Sequence, residues 1–332
     1  GARIDAAFVE PFVVNGVELE VTASVGLAFA GAGEQVSTFL IANADIAMYQ
    51  AKRKGGAGHQ VIDLREASET VNRNSLESDL RVAFARRELS VVYQPIVRVA
   101  DGVISGVEAL LRWENPERGV VSAQSMIEAA EQSGLIVKIG AWVLEQACRD
   151  HRTWSAAYPD ARLELAVNVS ARQIMSEDFP ATVSSVISRT GMPSAALVLE
   201  VTENILIDDS ERAMIALGGL KKLGVRLALD DFGTGFSSLS YLRRLPIDIV
   251  KIDQSFIADM KSPFNETITA AVTNLAHILG LSVTAEGVET GDQHDAVQAV
   301  GCEFAQGYFY ARPMPLSGII TELAAVALAT PA

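Results

Sequence analysis

The sequence predicts an α/β protein built on a modified (β/α)8 TIM-like barrel with an antiparallel first strand pair, preceded by a small α+β remnant. Three observations carry this expectation. From residue 90 to residue 306, eight short apolar, β-rich runs alternate with longer helical stretches, the written form of a parallel α/β fold. The first two runs are joined only by Ala100-Asp101-Gly102, too short for a helical crossover, which makes that pair antiparallel. No glycine-rich phosphate turn follows an early run, as a doubly wound open sheet would require.

The elements follow in order. Phe12-Val13-Val14 and Val17-Glu18-Leu19-Glu20-Val21 flank Asn15-Gly16, the signature of a tight hairpin, and the second strand is expected to continue through Val25-Gly26-Leu27. From Ser37 to about Lys54, Phe39, Leu40, Ala44, Ile46, Ala47 and Met48 outline an amphipathic helix stopped by Gly55-Gly56. One hairpin and one helix make a poor independent core, so this stretch reads as the tail of a domain that begins upstream. Leu76, Leu80, Val82 and Phe84 then recur at helical spacing in a charged stretch that suits a connecting helix. The expected division is a first segment over 1–64, a connecting helix over 65–78, the barrel over 79–325 and a tail over 326–332. The eight runs of the barrel are 90–97, 104–112, 162–169, 196–201, 225–230, 247–252, 281–285 and 302–306.

Composition narrows the function. With 332 residues and 49% hydrophobic content the chain can bury a large core, while 6% aromatic residues are too few for a stacking surface. A formal net charge of -14 repels a nucleic-acid polymer, although divalent cations can invert the sign of a local site for a small phosphate ester. No run approaches the ~18 apolar residues of a membrane helix, and Asp5, Glu10, Glu18 and Glu20 stand where an export leader would be basic. Cys148 and Cys302 lack metal-type spacing and read as buried free thiols, which fits a reducing cytoplasmic compartment. Any membrane tethering would come from segments upstream.

A barrel places its chemistry at the C-terminal ends of its strands. The second run contains Glu108, the third ends at Asn168, the fourth at Glu200 and the fifth at Asp230-Asp231; the sixth carries Lys251, the seventh is followed by Glu286 and the eighth ends at Gln306. Singly, each has an ordinary explanation as a cap, a turn residue or a surface charge. Together they converge on one rim, where buried carboxylates cost several kcal/mol each unless a cation compensates. Hard oxygen ligands without histidine or cysteine select Mg²⁺ or Mn²⁺ over zinc. Adjacent Asp230 and Asp231 suit a pair of ions, and Lys251 could orient or deprotonate a water or neutralise developing charge. A kinase reading of Asp231-Phe232-Gly233 fails for want of the other kinase motifs.

At these residues the chain resembles the EAL family of cyclic di-GMP phosphodiesterases. The resemblance rests on Tyr93-Gln94-Pro95-Ile96, Glu108-Ala109-Leu110-Leu111-Arg112-Trp113, Asn168-Val169-Ser170, Glu200-Val201-Thr202-Glu203, Asp230 to Gly235, Lys251-Ile252-Asp253, Ala285-Glu286-Gly287-Val288-Glu289 and Gln306-Gly307-Tyr308. It implies hydrolysis of cyclic di-GMP to a linear dinucleotide with Mg²⁺ or Mn²⁺. It makes Glu108, Asn168, Glu200 and Asp230 ligands of a first ion, assigns Asp231 to a second with Glu286 close by, and makes Lys251 the water-orienting group. It gives Glu203 the task of holding the loop from Phe232 to Ser238, places Gln94, Leu110, Arg112 and Gln306 against substrate, and leaves Glu289 as outer support. Phe236, Ala123 and Met126 depart from the family pattern without removing a proposed ligand.

Residues 21–30 and 42–54 resemble the C-terminal part of a GGDEF diguanylate cyclase domain, whose Gly-Gly-Asp-Glu-Phe signature is nowhere in the chain. This implies a fragment of a longer tandem protein without cyclase activity. The family pattern also implies a homodimer. Two functional classes remain: the phosphodiesterase, and a non-catalytic cyclic di-GMP receptor using the same pocket. The complete set of carboxylates and Lys251 favours the enzyme.

Overall fold

The computed structural model describes residues 58–203, 210–233 and 242–329; before them it describes residues 4, 7–8, 11–14, 17–19, 21–29, 41, 44–45, 47–48 and 51–52. The chain divides into two compact units, Gly1–Asp79 and Leu80–Ala332.

In the first unit, β1 (Phe12–Val14) pairs antiparallel with β2 (Val17–Leu19), Phe12 facing Leu19. Asn15 and Gly16, the expected turn, lie outside the described residues, as do Gly55 and Gly56. The second strand does not continue through Val25 as expected. Instead β3 (Ser24–Phe29) is a separate strand, parallel to β4 (Gly58–Asp63), which sequence patterning missed. Parallel pairing needs a crossover, and residues 44–45, 47–48 and 51–52 between them are helical. A Cβ on Gly26 would stand 1.9 Å from Ala44 O, so glycine permits the helix to seat directly on β3. The connecting helix α1 runs over Leu64–Arg86 and carries Leu76, Leu80, Val82 and Phe84.

In the second unit, β5 (Leu89–Arg98), β6 (Ile104–Asn115), β8 (Glu164–Asn168), β9 (Leu197–Thr202), β10 (Arg226–Phe232), β11 (Ile249–Ile252), β12 (Ser282–Ala285) and β13 (Phe304–Ala305) coincide with the eight sequence runs. They close into a ring in which β6, β8, β9, β10, β11, β12 and β13 are successively parallel and β5 is antiparallel to both β6 and β13. The hairpin from β5 to β6 turns at Gly102, whose φ of +70° suits a residue without Cβ, and Arg98 closes it on Asp101. A short β7 (Gly119–Val121) extends β6 outside the ring.

Helices α2 (Ala123–Gln132), α3 (Ile136–Ala157), α4 (Ala171–Ile174), α5 (Phe179–Thr190), α6 (Ser210–Lys221), α7 (Gln254–Ile257), α8 (Pro263–Ile278), α9 (Gly291–Ala299) and α10 (Leu316–Ala329) connect or follow the strands. Ser170 and Thr290 start α4 and α9 with reciprocal capping boxes, fixing two loops at the strand ends. Helix α10 continues to Ala329, into the segment expected as the tail. Cys148 and Cys302 are buried free thiols. Among the described residues no helix is long and apolar enough to cross a membrane.

The barrel interior is layered. Side chains alternate along each strand, and Ile96, Gly106, Ala166, Val198, Ala228, Ile249, Thr284 and Phe304 share one inner level. Ala166, Val198, Ala228 and Ile249 pack there as a core cluster with Ile96 against it. Two residues further along each parallel strand, the inward position is Glu108, Asn168, Glu200, Asp230, Lys251, Glu286 or Gln306. On the reversed β5 the equivalent residue, Gln94, lies two positions before Ile96. An apolar floor thus underlies a polar ring on every strand.

Candidate active site

Lys251 is at the centre of that ring and is 1% exposed. Its Nζ lies 2.6 Å from Glu286 Oε1, 2.8 Å from Glu200 Oε2, 3.3 Å from Asp230 Oδ1 and 3.8 Å from Glu108 Oε2. One positive charge therefore faces four carboxylates in a medium that screens poorly. The pKa shifts follow this imbalance. Burial pushes Glu200 well above the ordinary carboxylate range, opposed by Lys251 and reinforced by Glu108, Asp230 and Glu286. Burial likewise raises Glu286 to about 8 against the attraction of Lys251. For Glu108 burial is outweighed by Lys251 and by hydrogen bonds from Gln306 and Asn168, so its carboxyl stays below the usual range. The carboxylates outweigh the burial of Lys251 and hold its ammonium charged well above the usual lysine range.

Asp230 and Asp231 solve a geometric problem. Neighbours on a strand point to opposite faces, yet the two carboxylates and Glu286 each bring an oxygen to within 4.8 Å of the others. The register of β10 against β11 shifts between Leu229 and Phe232, and Asp231 takes a left-handed φ of 55°. This bulge turns both acids toward the mouth, at a conformation aspartate tolerates better than most residues. Asp231 is raised by its partial burial and by Asp230.

The donor set fits divalent cations. It consists of hard oxygens, and Asp230 Oδ1 and Glu200 Oε2 are buried without a hydrogen-bond partner, Lys251 being their cationic neighbour. Asn168 Nδ2 donates to Glu108 Oε1. Gln306 Nε2 donates to Glu108 Oε2 at 2.7 Å and to Gln94 Oε1 at 3.0 Å. Glu203 Oε1 accepts from Gly233 N–H at 2.8 Å, at the start of the Phe232 to Ser238 loop, whose residues 234–238 lie outside the described residues.

A cavity of about 400 Å³ opens over the ring, with Gln94, Glu108, Asp230, Glu286, Glu289 and Gln306 in its wall. Glu289 is exposed at its edge, its backbone N–H bonded to Gln293. Leu110 and Arg112 stand farther along β6, half-buried; Arg112 Nη1 donates to Leu111 O, and among the described residues no hydrogen bond or ion pair joins it to the ring. Sequence patterning missed the wall residue Gln254, and it named Tyr308 only as part of a motif, without a role. Gln254 follows the Lys251-Ile252-Asp253 motif with no periodic signal, whereas an exposed Tyr308 with Arg312 4.3 Å over its ring offers only an aromatic hint.

A family model described as "EAL domain" matches residues 77–313. The chain belongs to the EAL family. It is 37% identical over 316 residues to the bifunctional diguanylate cyclase/cyclic di-GMP phosphodiesterase MucR of Pseudomonas aeruginosa, covering 95% of this chain and 46% of that protein. It is 38% identical over 312 residues to the cyclic di-GMP phosphodiesterase NbdA of the same organism, covering 93% of this chain and 40% of that one. The chain thus spans less than half the length of these curated relatives. The solved PaMucR phosphodiesterase, in complex with c-di-GMP, superposes with a TM-score of 0.71 and 40% identity over 74% of this chain and 99% of that one. The EAL fold and the predicted barrel are therefore the same architecture.

Proposed function

We propose that this EAL domain hydrolyses cyclic di-GMP to linear pGpG with two divalent ions. The observation that carries the reading is the polar ring: four carboxylates converge on one lysine beneath an open cavity of about 400 Å³, an arrangement with more negative charge than a structural ion pair would need. The names of MucR and NbdA support the substrate.

In this reading Glu108, Asn168, Glu200 and Asp230 hold a first Mg²⁺ or Mn²⁺, and Asp231 with Glu286 a second. Bound there, the ions would supply the charge that activates a water and stabilises the leaving oxygen of an in-line displacement. Lys251 orients that water and offsets developing negative charge. Gln94, Gln306, Leu110 and Arg112 position the dinucleotide, Arg112 through phosphate, for which its planar fork is suited once it leaves Leu111 O. Glu203 holds the loop after β10, and Glu289 supports the cavity edge. Water adds across one phosphorus–O3′ bond, leaving a 5′-phosphate and a free 3′-hydroxyl.

The segment 1–64 is proposed as a remnant of a GGDEF domain without its signature, joined through 65–78 to a barrel over 79–325. The match to MucR, which covers 95% of the chain and so extends beyond the EAL segment, supports this. A homodimer, partner domains upstream and a cytoplasmic setting complete the proposal. Product analysis after incubation with cyclic di-GMP, with Mn²⁺ or with a chelator, tests it: metal-dependent pGpG is the expected result. Tight binding without product at high protein concentration would overturn it in favour of a receptor.

A further inference from the structure

The reversed strand β5 carries a buried tyrosine immediately before Gln94 that the proposed chemistry does not use. Tyr93 is 0% exposed, and its ring stands edge-on to Trp154 with centroids 5.2 Å apart. Its hydroxyl donates to Asp150 Oδ2 at 2.5 Å, while Asp150 Oδ1 accepts from Gln146 Nε2 at 2.9 Å. The phenol is thereby tied to α3 by a hydrogen bond of the strong, charge-assisted kind. The backbone of the same residue is tied elsewhere: Tyr93 N–H donates to Met314 O at 2.7 Å, and Met314 N–H donates to Tyr93 O at 2.9 Å.

Gln94 points to the opposite face of the strand and continues the chain of contacts. Its Nε2 donates to Ala311 O at 3.1 Å, and its Oε1 accepts from Gln306 Nε2, which also donates to Glu108 Oε2. A backbone carbonyl can only accept, so Ala311 O dictates which end of the Gln94 amide faces Gln306. That choice obliges Gln306 to offer its amino group to both Gln94 and Glu108, and leaves Gln306 Oε1 buried without a partner. The orientation of Glu108 thus depends on where β5 and the segment from Ala311 to Met314 sit relative to each other. Tyr93 is the residue that fixes both.

We propose that Tyr93 and Asp150 are positioning residues: their hydrogen bond ties β5 to α3, and the Tyr93 backbone in turn seats the Met314 segment after β13, so that Gln94 and Gln306 hold Glu108 ready to ligate a divalent ion. This rests on the reading of Glu108 as a metal ligand. The rival role, core filling, is served by the ring and owes nothing to the hydroxyl.

The test is Mn²⁺ binding to the whole chain, followed by the electron paramagnetic resonance signal of free ion without substrate, together with thermal unfolding. Loss of a site in Glu108→Ala identifies the relevant ion. Tyr93→Phe, which keeps the ring, is expected to weaken that site about tenfold, the lower end of what outer partners of metal ligands cost. Asp150→Ala should match it, and Asp150→Asn, which still offers the phenol an acceptor, should lose no more than about threefold. Trp154→Phe touches the same ring without touching the hydroxyl, and should lower Tm while leaving Mn²⁺ affinity within about twofold. Unchanged affinity in both Tyr93→Phe and Asp150→Ala, with only Tm reduced, would overturn the proposal. Absence of Mn²⁺ binding by the unsubstituted chain would instead overturn the metal reading on which it rests.

Discussion

The two ends of the barrel both carry ion pairs, but they balance charge in opposite ways. At the N-terminal end Arg226 faces Glu164 across the first residues of β10 and β8, and Lys221 meets Asp248 before β11. These are one-to-one pairs with side chains 27–37% exposed, and Asp248 also accepts from the Leu227 N–H. At the C-terminal end the side chains of Lys251 and Glu200 are each 2% exposed, and the lysine is shared among four carboxylates. A neutral, wet pair completes itself and contributes to stability in modest measure. A buried ring with surplus negative charge is costly as it stands and is completed by added cations. Charge balance, more than the mere presence of charge, separates the supporting end from the working end.

The sharpest way to break this contrast is to remove the one cation. Lys251→Met should lower the stability of chelated protein by about 3–5 kcal/mol, because four buried carboxylates lose their partner. Denaturant unfolding with and without Mn²⁺ checks this, and metal should restore part of the loss. Removing an acid at the same end should do the reverse to stability. Glu200→Gln is expected to reduce phosphodiesterase turnover by at least about a hundredfold, while chelated protein melts no lower than the unsubstituted chain; an equal loss of Tm and turnover would mark Glu200 as structural.

The bulge allows a finer test within the ring. Asp231→Asn and Asp231→Ala should both weaken metal-dependent turnover, but alanine should cost about 1 kcal/mol more in stability because it tolerates the left-handed backbone less well than asparagine. Thermal unfolding of the two variants decides it. At the N-terminal end Glu164→Gln should cost about 1 kcal/mol or less, with turnover unchanged in the product assay. A large loss of turnover there would erase the distinction between the two ends.

Much of this was legible in the chain. The eight runs coincide with the eight ring strands because strands buried on both faces are written locally as short, nearly continuous apolar runs. The polar strand ends were legible for the same reason: Asn168, Glu200 and Asp230 each follow an apolar residue two positions earlier that occupies the floor. The strand β4 was missed because Val61 and Ile62 are its β-formers in a stretch of polar residues, and its pairing with β3 spans more than thirty positions. Gln254 was missed, and Tyr308 was left without a role, because nothing local marks a residue that reaches a cavity wall from a loop or a helix start.

The sequence by itself determined the barrel class, the number of strands, the antiparallel first pair and the identity of the groups at the rim, since each depends on alternation, loop length or residue chemistry. Tertiary structure decided what those groups do to one another. Closing the ring through a reversed β5 put Gln94 beside Glu108 although its place on the strand is counted backwards. Registers summed around the ring brought Lys251 within reach of four acids from four other strands or strand ends. A single left-handed residue turned Asp231 to the side of Asp230. Register and closure are non-local, set by pairings between residues more than two hundred positions apart, and so are decided only when the sheet shuts.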